Sequence, residues 1–255
     1  MSEASGDKVR LERLSESVAQ IVIDRPERHN AMSIPMYETL LALIDECCAD
    51  EAVRCVVMRG AGGKSFVSGT DIDYFRDFTT GRQGIEYEAL VEKVIGAVER
   101  IPVPTIAAID GWAVGGGLAI ATACDFRVCS DGSRFGAPIA KTLSNTLSSR
   151  NLARLVAAFG VPRVKKMLLL ADFLDAADAH ACGYVYEVTA KEQIGATAAA
   201  LAERLAALSP LTQRAVKEGL RRIVIEHSLE DDDLVDAVYG SQRFRDAVAA
   251  FTSKG

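Results

Sequence analysis

Apolar positions along this chain fall into two recurring patterns. Short β-branched or wholly apolar runs predict strands at Val18–Asp24 (VAQIVID), Cys55–Arg59 (CVVMR), Thr105–Ile109 and Asp125–Ser130 (DFRVCS). Between them apolar residues recur at helical spacing. In Pro35–Asp50 these are Met36, Leu40, Leu43, Ile44 and Cys47, and Ile85–Arg100 and Gly117–Ala123 also predict helices. The strand runs are continuous rather than alternating, as in strands covered on both faces. Strands separated by helices predict an α/β fold on a parallel sheet. The segment GAGGKSF after Arg59 reads as a loop, and the prolines of IPVPTIAAIDG mark the entry of the third strand. Past Ser148 the character changes. Four or five helices are expected, with one strand-like piece at Tyr184–Val188, and the stretch from Lys191 to Gly255 reads as wholly helical. Leu220, Ile223, Val224, Leu234, Val238, Phe244 and Phe251 give that tail apolar faces. They need cover from the chain's own core or from a neighbouring subunit.

Composition narrows the function classes. The chain has 255 residues, 49% hydrophobic and 25% charged, with a formal net charge of -6. That is the make-up of a globular chain with a full core. No basic stripe suited to a nucleic-acid backbone stands out; RRIVIEH at Arg221–His227 is short and mixed in sign. An acidic total still permits a phosphorylated small ligand at a local cationic patch. The six cysteines (Cys47, Cys48, Cys55, Cys124, Cys129 and Cys182) form no C-x-x-C pair, and there are three histidines, so a metal site is not expected. Most of these thiols lie in apolar runs and read as reduced and structural, which suits a cytoplasmic setting. The first residues hold no signal-like apolar stretch, and the most apolar helical run, Gly195–Leu208, is interrupted by Glu203 and Arg204, so no membrane span is expected.

Two glycine loops carry the candidate chemistry. GWAVGGGLAI follows the strand ending at Ile109 and opens a helix near Gly116. Free N–H groups and the positive dipole end lie at such a start, and glycines let a ligand approach the main chain. A carbonyl oxygen turning into an oxyanion is stabilised there by about 3 kcal/mol per donor. The alternative is that the glycines only give clearance for a helix packed on a strand. GGKSFVSGTDI, Gly62–Ile72, runs in the same way from a strand into a helix start, with Asp71 placed as a cap. Two such loops at the carboxyl ends of neighbouring strands are where α/β sheets bind ligands.

At these residues the chain resembles the crotonase, or enoyl-CoA hydratase/isomerase, superfamily. The similar segments are IDRPERHNAMS (Ile23–Ser33), KSFVSGTDI, the long block from Ile101 to Pro138 ending in FGAP, Leu168–Val188, and YGSQRFRDAVAAFTSK (Tyr239–Lys254), so nearly the whole chain takes part. The resemblance implies a ββα spiral core over residues 1–190, its sheets roughly perpendicular. It also implies a helical trimerisation region over 191–255 and a homotrimer or a hexamer made of two trimers. No prosthetic group is implied; the substrate is a coenzyme A thioester. The N–H groups of Thr70 and Gly116 are implied as the oxyanion donors. Contacts to CoA map to His29, Ala31, Lys64, Ser68 and Asp71, with Phe251 and Lys254 reaching a partner's ligand. Lys64 reads equally as a solvated loop lysine, and Asp71 and Asp125 read on their own as structural turn and cap acids. His180, at a helix end before Gly183, reads as structural.

The resemblance also marks an absence. The hydratases of this family use two glutamates, and the corresponding positions here hold Ala119 and Ile139. Neither can carry a proton, and general acid–base help contributes about 10²–10⁴-fold in rate. The polar segment AKTLSNTLSSRN, Ala140–Asn151, lies where the family's site wall is expected, and Asn145 is the candidate there to orient a polar group. Two function classes stay open: an enzyme that stabilises a thioester enolate, and a silent acyl-CoA-binding or assembly subunit.

Overall fold

Apolar runs without alternation need cover on two faces, and the fold supplies it. The computed structural model describes residues 8–253. In chain order the elements begin with β1 (Lys8–Arg13), β2 (Val18–Asp24), α1 (Ile34–Ala49), β3 (Cys55–Gly60), β4 (Ser65–Val67) and α2 (Gly81–Glu99). There follow β5 (Thr105–Ile109), β6 (Trp112–Val114), α3 (Gly116–Ala123), β7 (Phe126–Ser130), β8 (Arg134–Gly136) and α4 (Ser149–Leu169). The chain continues through β9 (Leu174–Asp175), α5 (Ala176–Ala181), β10 (Glu187–Thr189), α6 (Ile194–Ala206), α7 (Pro210–Arg221), α8 (Asp232–Tyr239) and α9 (Gln242–Thr252).

The strands sort into two sheets. The larger has the order β1-β2-β3-β5-β7-β10 and is parallel from β2 onward, with β1 antiparallel at its edge. The smaller has the order β4-β6-β8-β9, parallel except for its last pair. Each of the units β3-β4-α2, β5-β6-α3 and β7-β8-α4 places one strand in the large sheet, one short strand in the small sheet, and then a helix. This is the two-sheet ββα spiral, not the single parallel sheet that the hydrophobic pattern alone predicts. GAGGKSF, expected as loop, runs into β4 at Ser65. The strand expected at Tyr184–Val188 is β10, shifted toward the C-terminus. Six α-helices rather than four or five follow Ser148 among the described residues, and α4 breaks at Gly160 (φ 72) just before Pro162.

One face of the large sheet (Ile21, Ile23, Val56, Met58, Ala107, Ile109) packs into the main core with Tyr37, Leu40, Val94, Ile95 and Leu118 of α1, α2 and α3. The opposite face (Val18, Cys55, Val57, Ile106, Ala108, Val128) is covered by Ala198, Leu201, Ala202 and Leu205 of α6. Helices α7, α8 and α9 hold no fully buried residue. Among the described residues no helix is long and apolar enough to cross a membrane.

Candidate active site

The two glycine loops meet. A Cβ built on Gly69 would lie 3.6 Å from the Gly116 nitrogen, so the loop after β4 and the start of α3 are in contact. The three consecutive glycines have different tasks. Gly115 precedes α3 with φ 55 and ψ -118, a backbone that side chains rarely adopt. Gly117 presses α3 onto β4, where an added Cβ would come within 1.9 Å of the Val67 carbonyl oxygen. Gly116, between them, starts the helix, and its N–H donates to no other described residue.

Thr70 is held on its other side. Met32 N–H donates to the Gly69 carbonyl at 2.8 Å, and Asp71 N–H donates to the Met32 carbonyl at 2.9 Å. Successive main-chain groups of an extended segment point to opposite sides, so the Thr70 N–H faces away from Met32. It too donates to no other described residue. The Thr70 hydroxyl sits between two tyrosines, 2.8 Å from Tyr37 Oη and 2.8 Å from Tyr87 Oη. Burial pushes both phenols up, Tyr87 to about 12, so they stay protonated. The segment before it is sewn down by buried Asn30, which accepts from Arg25 N–H at 2.9 Å and donates to the carbonyls of Ala61 and Ser65 at 3.0 and 2.8 Å.

These loops open on a cavity of about 170 Å³. Of the residues singled out in the sequence, Ser68, Thr70, Gly116, Ala119, Ile139 and Asn145 line it together. His29, Ala31, Lys64 and Asp71 do not line it. His29 is exposed in a left-handed turn (φ 54), its Nδ1 3.4 Å from Ser65 Oγ, and Lys64 is exposed between β3 and β4. Asp71 caps the short turn Ile72–Phe75, accepting from Asp73 N–H at 3.2 Å and from Arg25 Nη1 at 2.7 Å. Phe251 is 85% exposed on α9, away from this cavity, and Lys254 lies outside the described residues. Asp125 is structural, binding the Thr105 N–H at 2.7 Å and the Lys217 ammonium, and His180 contacts the Val185 carbonyl at 3.1 Å.

Sequence reasoning missed Glu88. It is the sole carboxylate among the described residues lining the cavity, and Tyr87 is the only other titratable group there. Its Oε2 accepts from the Ser148 N–H, the N-cap of α4, at 2.7 Å. Burial pushes the Glu88 carboxyl above the ordinary carboxylate range; Ser148 draws it back and the Glu92 carboxylate adds to the rise. One and three turns further along the same helix face, Glu92 and Glu99 grip the buried Arg154 guanidinium at 2.6–2.8 Å. Asn151 Oδ1 accepts a further Arg154 N–H at 3.1 Å. A glutamate in an amphipathic helix looks like a solvent-facing residue, and no local signal shows that α4 begins over it.

Comparison with known proteins gives the family and the fold. A family model for enoyl-CoA hydratase/isomerase matches residues 13–251. The short-chain-enoyl-CoA hydratase of Clostridium acetobutylicum is 30% identical over 241 residues, 93% of this chain and 92% of its own length. The crotonyl-CoA hydratase of Syntrophomonas wolfei is 30% identical over 246 residues, covering 94% and 93%. A solved enoyl-CoA hydratase/carnitine racemase from Magnetospirillum magneticum superposes with a TM-score of 0.87 at 32% identity, over 98% of this chain and 94% of its own. The chain belongs to the enoyl-CoA hydratase/isomerase family, within the crotonase superfamily.

Proposed function

We propose that this protein binds an acyl-CoA thioester and stabilises its enolate between the N–H groups of Thr70 and Gly116. The observation that carries the reading is the contact of the two glycine loops at one cavity, each contributing an N–H with no partner among the described residues. Negative charge that builds on the thioester oxygen during loss of an α-proton is met there by two fixed donors. Each removes about 3 kcal/mol from the barrier. The CoA moiety runs past His29, Ala31, Lys64, Ser68 and Asp71. Lys64 meets a phosphate as a point charge, and Phe251 and Lys254 of a neighbouring subunit in a trimer or hexamer close the far end. No prosthetic group is needed, because the thioester carries its own activation.

The second reading, a binding subunit without chemistry, is favoured by one observation: Ala119 and Ile139 line the cavity where the family's hydratases carry acids. The two readings part on a panel of acyl-CoA thioesters in D₂O, followed by calorimetry and by mass spectrometry of the acyl α-carbon. Binding with deuterium uptake that Gly116→Val abolishes supports the enolate site. Binding with no uptake from any thioester leaves only the silent subunit. No binding at all sinks both.

A further inference from the structure

We propose that Glu88 is the proton-transfer group of this site, working on the acyl chain of a short CoA thioester in place of the acids absent at 119 and 139. The inference rests on the enolate reading above and adds the group that makes and consumes the enolate.

Among the described residues Glu88 is the sole carboxylate lining a cavity that Thr70 and Gly116 also line. Its place relative to Thr70 is fixed by its chain neighbour, because Tyr87 hydrogen-bonds the Thr70 side chain at 2.8 Å. The carboxylate itself is fixed by the main chain at the start of α4, through the Ser148 N–H. A base held by two helices and registered to the oxyanion donors has the positional definition that proton transfer requires. The groups around it are Tyr87 and Glu92 of its own helix, Tyr37 of α1, Ser148 and Asn151 at the start of α4, and Thr142 and Asn145 of the loop before α4. Arg154, the nearest cation in this network, is committed to Glu92 and Glu99. Among the described residues no cation pairs with Glu88. Its carboxylate is thus free of the counter-charge that would make it a poor base, and burial raises its proton affinity further. The cavity, about 170 Å³, is small beside the ~300–1,000 Å³ of pockets for drug-sized ligands, which suits a short acyl group.

The step balances without a co-reactant. The Glu88 carboxylate takes the proton from the acyl α-carbon. The C–H electron pair becomes the Cα=C bond of the enolate, and the carbonyl π pair moves onto the thioester oxygen, facing Thr70 and Gly116. Glu88, now a carboxylic acid, returns the proton. Return to the α-carbon regenerates the starting thioester. Return to the γ-carbon of a β,γ-enoyl chain gives the α,β-enoyl isomer. No water is added, so no group is needed at 119 to activate one, and the proton transfer that Ile139 cannot perform falls to Glu88.

The test uses the full-length protein with butyryl-CoA and 3-butenoyl-CoA. Deuterium uptake at the α-carbon and β,γ-to-α,β isomerisation are compared in the native chain, Glu88→Gln and Glu88→Asp. Glutamine still accepts the Ser148 N–H, so folding and thioester binding are retained, while both rates fall by about 10²–10⁴-fold. Aspartate restores part of the loss. The native rate rises with pH through the carboxyl's titration, and the glutamine variant lacks that limb. Glu88→Gln reacting at the native rate, or a native chain that binds butyryl-CoA and exchanges nothing, overturns the assignment while thioester binding stands. A native chain that binds neither thioester overturns the enolate reading, and the assignment with it.

Discussion

Two walls of the cavity differ in kind. Along α3 and the loop at 137–147 it meets Ala119, Pro138, Ile139, Leu143 and Leu147, broken only by Thr142 and Asn145. Along α2 and the start of α4 it meets Tyr87, Glu88 and Asn151, backed by the Glu92–Arg154–Glu99 ion cluster. A half-buried ionisable group needs a hydrogen bond or a counter-charge at hand. The start of α4 supplies one to Glu88, and no described acid or base stands on the apolar wall. The comparison teaches that proton-handling capacity in this cavity is read from the helix-helix wall rather than from the glycine motif.

The largest effect concerns the apolar wall. Hydration of crotonyl-CoA, for which the family resemblance implies acids at the positions of Ala119 and Ile139, is expected at least about 10²–10⁴-fold below that of an efficient hydratase. A steady-state assay of crotonyl-CoA turnover checks this, and a rate near that of such an enzyme would break the contrast between the walls. Next comes the charged wall. Arg154→Met leaves half-buried Glu92 and Glu99 without their cation, and urea unfolding should show a loss of up to about 3–5 kcal/mol. Between the walls, Thr70→Val removes the hydroxyl shared by Tyr37 and Tyr87. Leaving buried phenols unpaired costs about 1–3 kcal/mol, measurable by the same unfolding curves. Unchanged stability would mean that the tyrosines find other partners. The smallest effect sharpens the reading of Glu88. Its folded carboxyl holds a proton more tightly than the unfolded chain does. Native stability therefore declines as pH rises from the ordinary carboxyl value through the raised one. Glu88→Gln lacks that slope, so it is level with the native chain in acid and gains on it toward neutral pH; equal slopes would show that the carboxyl is not raised.

Much of the fold was legible, and the exceptions have physical causes. Val18–Asp24 and Thr105–Ile109 coincide with β2 and β5 because a strand covered on both faces writes an unbroken apolar run. β4, β6 and β8 span three residues each, too few for any period to register, and the second sheet they build was invisible to hydrophobic patterning. Its existence came only from the family resemblance. At the site, Gly116, Ala119 and Ile139, which the motif's spacing had grouped, line one cavity. Glu88 was not legible, because its environment is made by Ser148, 60 residues away in sequence. Tyr37, a core residue of α1, gave no sign in the sequence of touching the Thr70 hydroxyl, since that contact depends on how α1 lies against the loop.

The seam between α3 and β4 has a mechanical consequence. At Gly117 the helix backbone rests on the Val67 carbonyl with no room for a single methyl group. Neither loop can slide past the other without separating the two elements, so the spacing between residues 70 and 116 is set when the chain folds. On the proposed enolate reading, the site has no rearrangement to make as charge moves onto its ligand, and any substitution that wedges the seam open would detune it from a distance.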